Sequence, residues 1–346
     1  MKPLTQYMLD KTVALLAIGS PTGYTRKAAE FVWEEYRALG YAPRFTAKGG
    51  VLVQVAPGGE GHGDDGVLLE AHLDTLGAMV AEVTAAGRLR VTPLGGLNAN
   101  NAETENVRVV TRDGRVYTGV FQLKNASIHV NGQYNDEKRT FDSMEVLLDE
   151  PVTKKDDVLA LGIMPGDIVC FDPRTVVTPA GYIKSRFLDD KLSVGILLGH
   201  ARHLADTGEQ PRRPVWHHIT VFEEVGHGAS ATMPAGCSEV LSVDMGCVGE
   251  GLSCTEQQVS ICAKDSGGPY HYDVVTGLVN AARAAGADFA VDVYPHYGSD
   301  AEAALKAGWD VRHGLIGAGV YASHGYERSH VKGMENTLRL LAEYLR

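Results

Sequence analysis

Residues 67–80 read V-L-L-E-A-H-L-D-T-L-G-A-M-V, and the fold can be read outward from them. Val67–Ala71 is a short run, apolar apart from Glu70, with the pattern of a strand buried on both faces. His72-Leu73-Asp74 follows at once, and residues two apart on an extended chain point to the same side. From about Ala78 the texture of the chain changes.

Before this stretch the pattern is α/β. Leu4, Met8 and Leu15 share one side of a first helix, and a second runs from about Thr25. Ala28, Phe31, Val32 and Leu39 form one face of that second helix, and Gly40 stops it. Val51–Val55 is a further strand, and the P-G-G-E-G-H-G-D-D-G stretch before Val67 reads as a solvated turn, because no helix pattern follows it. Between Ala78 and Ala180 short alternating runs flank Arg112-Asp113-Gly114, a hairpin signal, and helical periods are scarce. After Gly181 the alternation of buried strands and helices resumes, with a helix over Leu192–Leu204 and a closing helix near Met334–Tyr344. The expectation is an α/β domain formed by residues 1–77 and 181–346, with a mixed sheet and helices on both faces. It is interrupted by a β-rich, barrel-like domain at 78–180.

A chain of 346 residues suffices for this arrangement. Its formal charge of −11 repels nucleic acid and anionic lipid, and no basic run offsets it. The five cysteines are odd in number and show no C-x-x-C spacing, which argues against a disulfide framework and a zinc knuckle. Asp10 and Lys11 interrupt the apolar N-terminal positions, so no signal peptide is read there, and no membrane span follows. A cytoplasmic enzyme is expected.

The chemistry lies at the ends of strands. Four apolar runs each finish at residues able to hold a metal: Val67–Ala71 at His72, Ile219–Phe222 at Glu223-Glu224, Leu241–Val243 at Asp244, and Leu315–Tyr321 near His324. Open α/β sheets bind ligands beyond the carboxyl ends of their strands. Each signal has an ordinary reading when taken alone. Asp189-Asp190 before the Leu192 helix could simply cap it, and Glu223-Glu224 could be a solvated acidic loop. Together, His72, Asp189, Glu224, Asp244 and His324 make a sensible shell for two divalent ions such as Zn²⁺. Their three carboxylates leave two dications one charge short of neutrality, which favours ionising a shared water. Because Glu223 and Glu224 are adjacent, one can ligate while the other faces that water.

The ordered set AHLDTLGAMV, LGIMPGDIVCFDP, SRFLDDK, VFEEVG, VDMG and YGSDA resembles peptidase family M42, the TET-type glutamyl and deblocking aminopeptidases, over essentially the whole chain. The resemblance implies that His72 and Asp244 are terminal ligands, that Asp189 bridges, and that Glu224 and His324 complete the shell. It makes Asp74 the carboxylate that orients a ligand and Glu223 the general base, and it implies a cis bond within the Asp189-Asp190 pair. It further implies a homo-oligomer, a dimer building to a dodecamer through the β insert. Two departures stand out. The segment after E-E-V-G runs straight to His227-Gly228-Ala229 without the family's arginine, and the final motif is His324-Gly325-Tyr326-Glu327-Arg328, which leaves His330 as a rival to His324. The H-G-Y-E-R form is similar to a bacterial subgroup associated with making a dipeptide-amide osmolyte.

The expected function is a two-metal aminopeptidase acting on short peptides, with Zn²⁺, Co²⁺ or Mn²⁺ and no nucleic-acid or membrane partner. A metal-dependent deacylase or amidase acting on a small N-acylated amino-acid or dipeptide derivative uses the same shell. A non-catalytic, metal-stabilised assembly protein would need neither Asp74 nor Glu223.

Overall fold

A computed structural model of the chain describes residues 2–346. The helices α1 (Pro3–Leu16) and α2 (Arg26–Ala38) lead into strands β1 (Arg44–Phe45), β2 (Val51–Ala56) and β3 (Gly66–His72). Six strands then follow, β4 (Gly77–Val83), β5 (Leu89–Leu94), β6 (Asn106–Val110), β7 (Val116–Leu123), β8 (Met144–Leu148) and β9 (Ile168–Phe171), with short helices α3 (Ala99–Ala102) and α4 (Lys155–Ala160) between them. The chain returns through β10 (Val176–Val177), β11 (Tyr182–Ser185), α5 (Leu188–Thr207), β12 (Val215–Thr220), β13 (Cys237–Val243), β14 (Gly246–Val248) and β15 (Val259–Lys264). It ends with α6 (Tyr272–Ala284), β16 (Phe289–Val293), α7 (Asp300–Lys306), β17 (Arg312–Tyr321), β18 (Glu327–His330) and α8 (Val331–Leu345).

The main sheet is mixed, in the order β1-β2-β12-β3-β13-β17-β18-β11-β10. Its centre, β12-β3-β13-β17, is parallel throughout. Burial follows the period of two that a strand imposes. Val67, Leu69 and Ala71 of β3 join one core with residues of α1, α2, α5 and α8. Leu68 faces the opposite core, with Ala301 and Ala304 of α7. All seven residues of β3 are buried, so it occupies the middle of the molecule. Glu70 is accommodated there by His218 of β12, 2.9 Å away.

The six strands β4 to β9 close into an antiparallel barrel in the order β4-β5-β8-β7-β6-β9, filled by its own core around Val109, Phe121 and Val146. The barrel is inserted between β3 and β10 of the sheet. Arg112-Asp113-Gly114 turns β6 into β7 as the sequence indicates.

Two sequence expectations shift in detail. The buried stripe of α2 is Ala28, Ala29, Val32 and Tyr36, with Phe31 and Leu39 only flanking it. Tyr36 belongs inside because its hydroxyl has a buried partner, His217 Nδ1 at 2.9 Å, and His217 in turn meets His200 at 3.0 Å. The helix read from Leu192 follows a kink, because Asp189 and Asp190 near the start of α5 have non-helical conformations and are joined by a cis peptide bond. Among the described residues no helix is long and apolar enough to cross a membrane.

The close crossing of α1 on α5 depends on Gly195 and Gly199. A Cβ at Gly195 would lie 2.1 Å from Thr12 Oγ1 and 3.0 Å from the Met8 carbonyl. The substitution Gly195→Ala should therefore lower unfolding free energy by about 1–3 kcal/mol, as overpacked core positions do. A urea titration with an unchanged midpoint would show that this crossing is not close-packed.

Candidate metal centre

Parallel strands deliver their carboxyl ends to one edge. His72 is the last residue of β3, Asp244 follows β13, and Glu223 and Glu224 open the turn after β12. Asp189 stands at the start of α5, and His324 lies in the connection between β17 and β18. These residues come from five separate segments, and the structure brings all of them together.

Asp189 is the centre of the arrangement. Its Oδ1 lies 3.0 Å from His72 Nε2, while its Oδ2 lies 3.6 Å from His324 Nε2. Each oxygen of one carboxylate thus faces a different imidazole. Glu224 Oε2 is 3.6 Å from His324 Nε2, and Glu223 Oε2 is 3.7 Å from His72 Nε2. His72, Asp189 and Glu224 form one group whose donor atoms lie within 4.8 Å of one another, and His72, Asp190 and Asp244 form another. Asp190 was absent from the ligand set read from the sequence. Its Oδ2 accepts the backbone N–H of His72, and its Oδ1 has no partner. Glu224 Oε1 is likewise buried without a partner. Bare carboxylate oxygens in a cluster of imidazoles and acids form a donor set that suits divalent cations.

Electrostatics describe the same demand. Burial pushes the carboxyl groups of Glu223, Glu224 and Asp190 well above the ordinary range, and neighbouring carboxylates add to the effect. Asp244 is pushed up to about 7 by burial and by Asp189. Burial alone would depress His72, yet Glu223, Asp189 and Asp244 outweigh it and hold its proton firmly. Without a cation, therefore, protons must neutralise this site.

Asp74 does not take the position expected of it. The imidazole Nδ1 of His72 is 2.9 Å from the Asp74 backbone carbonyl and 3.8 Å from its carboxylate. The carboxylate accepts instead from Thr22 Oγ1 at 2.7 Å and from the backbone N–H groups of Glu223 and Glu224 at 3.1 and 3.4 Å. These donors draw it away from the ring and onto the Glu223-Glu224 turn. The carbonyl can accept the Nδ1 proton, leaving the lone pair of Nε2 directed at the site.

His330 lies elsewhere. It caps α8, accepting from the Lys332 N–H at 3.0 Å, and its Nε2 is 2.8 Å from the Ala180 carbonyl. Of the two histidines that competed for the last position, the structure brings His324 to the cluster.

A cavity of about 470 Å³ opens over Asp189, Glu223, Glu224, Asp244 and His324, and Tyr297–Asp300 of the Y-G-S-D-A motif line it. His296 also lines this cavity. The shortened segment after Glu224 is held from two sides. Lys48 Nζ donates to the carbonyls of His227 and Gly228 at 2.6 and 2.5 Å, and Asp300 accepts the Ala229 N–H at 2.8 Å. Neither Lys48 nor the clamping role of Asp300 was apparent from sequence. The connection after β5 reaches the imidazole from the insert, since a Cβ on Gly96 would lie 2.8 Å from His324 Nδ1.

Comparison with known proteins gives the family and the fold. The sequence profile of the M42 glutamyl aminopeptidase family matches residues 50–340. YhfE of Bacillus subtilis (strain 168), named as a candidate aminopeptidase, is 41% identical over 333 residues, covering 96% of this chain and 95% of YhfE. Aminopeptidase APDkam598 from the archaeon Desulfurococcus kamchatkensis superposes with a TM-score of 0.87 at 23% identity, over 99% of this chain and 95% of that one. The structure of PhTET1-12s, a dodecamer, superposes with a TM-score of 0.82 at 22% identity, over 100% and 99% of the two chains. The two structural likenesses establish the fold.

The carboxyl shifts give a pH signature. Asp244 at about 7 and Asp300 at about 6 both stand above the ordinary 3.8. The folded state therefore holds their protons more tightly than the unfolded chain. Their contribution to stability is complete below about pH 4 and is lost as pH rises through 6 to 7. The metal-free protein should melt at a lower temperature at pH 8 than at pH 5. Adding a divalent cation should raise the melting temperature more at pH 8 than at pH 5, and equal gains would contradict the assignment.

Proposed function

Because the chain belongs to the M42 glutamyl aminopeptidase family, a family of metal-dependent peptidases, we propose that it is a two-metal aminopeptidase removing N-terminal residues from short peptides, with Glu223 as general base. The observation that carries the two-metal reading is Asp189, whose two oxygens address His72 and His324 separately. In this assignment His72, Asp189 and Asp244 hold one ion, and Asp189, Glu224 and His324 hold the other. Two such cations, Zn²⁺ foremost and Co²⁺ or Mn²⁺ as alternatives, would acidify a water and polarise the scissile carbonyl.

The chain's own residues do the rest. Glu223 lines the cavity beside His72 without ligating, and its backbone N–H is anchored on the Asp74 carboxylate. Burial makes the Glu223 carboxylate a strong proton acceptor. It removes a proton from the attacking water as the water oxygen bonds to the carbonyl carbon. When the C–N bond breaks, Glu223 returns the proton to the leaving amine. Asp74 fixes both glutamates relative to His72 and touches no substrate. The cavity, open on one side, has room for a short, flexible peptide end.

The proposal extends to organisation. Residues 1–77 and 181–346 form the catalytic domain, and the insert at 78–180 serves dimer formation and substrate access. By analogy with the dodecameric PhTET1-12s, twelve copies assemble into a hollow particle. A cytoplasmic location is supported by five unpaired cysteines, the state a reducing compartment maintains.

The substitution Glu223→Gln should keep both ions, counted by elemental analysis, and lose about 10²–10⁴-fold in turnover. Near-normal turnover would remove Glu223 from the mechanism. The wild type should cleave unblocked aminoacyl amides and leave N-acetylated ones intact; the reverse preference would identify a deacylase. Light scattering should give twelve times the mass of one chain, and a stable monomer would contradict the assembly.

A further inference from the structure

The two imidazoles of the centre are held very differently. His72 is buried, its N–H bound by Asp190 and its Nδ1 by the Asp74 carbonyl. The His324 side chain is 41% exposed, so packing alone does not orient it. Its backbone adopts φ +61, a left-handed conformation that a residue with a side chain rarely occupies without support.

That support comes from two residues outside the proposed ligand set. Glu327 is 2% exposed, and its Oε1 accepts the His324 N–H at 3.1 Å. Its other oxygen, Oε2, accepts the Asp189 N–H, also at 3.1 Å. One carboxylate therefore ties together the backbones of two residues 135 positions apart in sequence. On the far side of the His324 peptide, Asn101 Nδ2 of the barrel segment donates to the His324 carbonyl at 3.2 Å.

We infer that Glu327 and Asn101 are positioning residues for His324, and that Glu327 also sets the register of His324 against Asp189. The inference rests on the two-metal assignment proposed above. A carboxylate is required at position 327 because both of its oxygens accept. A glutamine offers one acceptor and one donor, so it can hold one of the two N–H groups and must repel the other. Supporting partners of this kind typically change metal affinity by about 10–100-fold.

The test is calorimetric titration of the chelated full-length protein with Zn²⁺, with circular dichroism confirming the fold. The wild type should bind two ions; fewer would overturn the two-metal assignment and this inference with it. Glu327→Gln should bind one ion with wild-type affinity and the other about 10–100-fold more weakly. Raising the Zn²⁺ concentration should restore its turnover, which a globally disrupted protein would not do. Asn101→Ala, at an exposed site, should weaken the same ion and leave the first unchanged, and it decides the question if Glu327→Gln fails to fold. Wild-type affinity for both ions in both folded variants, or in Asn101→Ala if only that variant folds, would overturn the positioning role while leaving the two-metal assignment intact.

Discussion

Uncompensated negative charge at the carboxyl edge of the parallel strands is the constraint on which this structure depends. Asp189, Asp190, Glu223, Glu224, Asp244 and Glu327 converge there, and the basic groups placed among them are the imidazoles of His72 and His324. Carboxylates in a poorly solvated site cannot all remain ionised without a counter-charge. Protons or cations must supply it, and the choice sets the chemistry available. Protonated acids would stabilise the fold but leave no base for catalysis. Cations would restore the carboxylates and leave Glu223 free for the proton-accepting role proposed for it.

The fold serves this constraint by division of labour. Buried parallel strands supply rigid positions for His72 and Asp244, whose immediate neighbours belong to a core packed on both faces. Turns supply Glu223, Glu224 and His324, and each turn is clamped by side-chain carboxylates acting on backbone N–H groups: Asp74 on the first, Glu327 on the second. The barrel is more than an appendage, because its Gly96 and Asn101 close against His324. An element inserted after β3 thereby completes a site that the sheet alone leaves open.

Much of this was legible in the sequence because strand ends are local signals. An apolar run that finishes in His, Asp or Glu announces both a strand and its terminus, and it marks His72, Asp244, Glu224 and the vicinity of His324. The change of texture after Ala78 gave away the barrel for the same reason. What escaped depends on contacts between distant segments. Asp190, next to the assigned ligand Asp189, carries no signal of its own, since adjacent carboxylates differ only in which way the backbone turns. Glu327 and Lys48 act through hydrogen bonds to main-chain groups far away in sequence, and no periodicity records such contacts. Asp74 was identified as important, yet its working atoms were exchanged: the carbonyl meets His72 and the carboxylate meets the glutamate turn. His324 and His330 differ only in which turn of the chain reaches the sheet edge, a three-dimensional distinction.

Asp189 is proposed to lie between two cations. Anomalous diffraction from a Zn²⁺-loaded crystal tests it most directly. The account predicts two peaks sharing Asp189, one against His72 and Asp244 and the other against Glu224 and His324. A single peak, or a second one that does not touch Asp189, would contradict it.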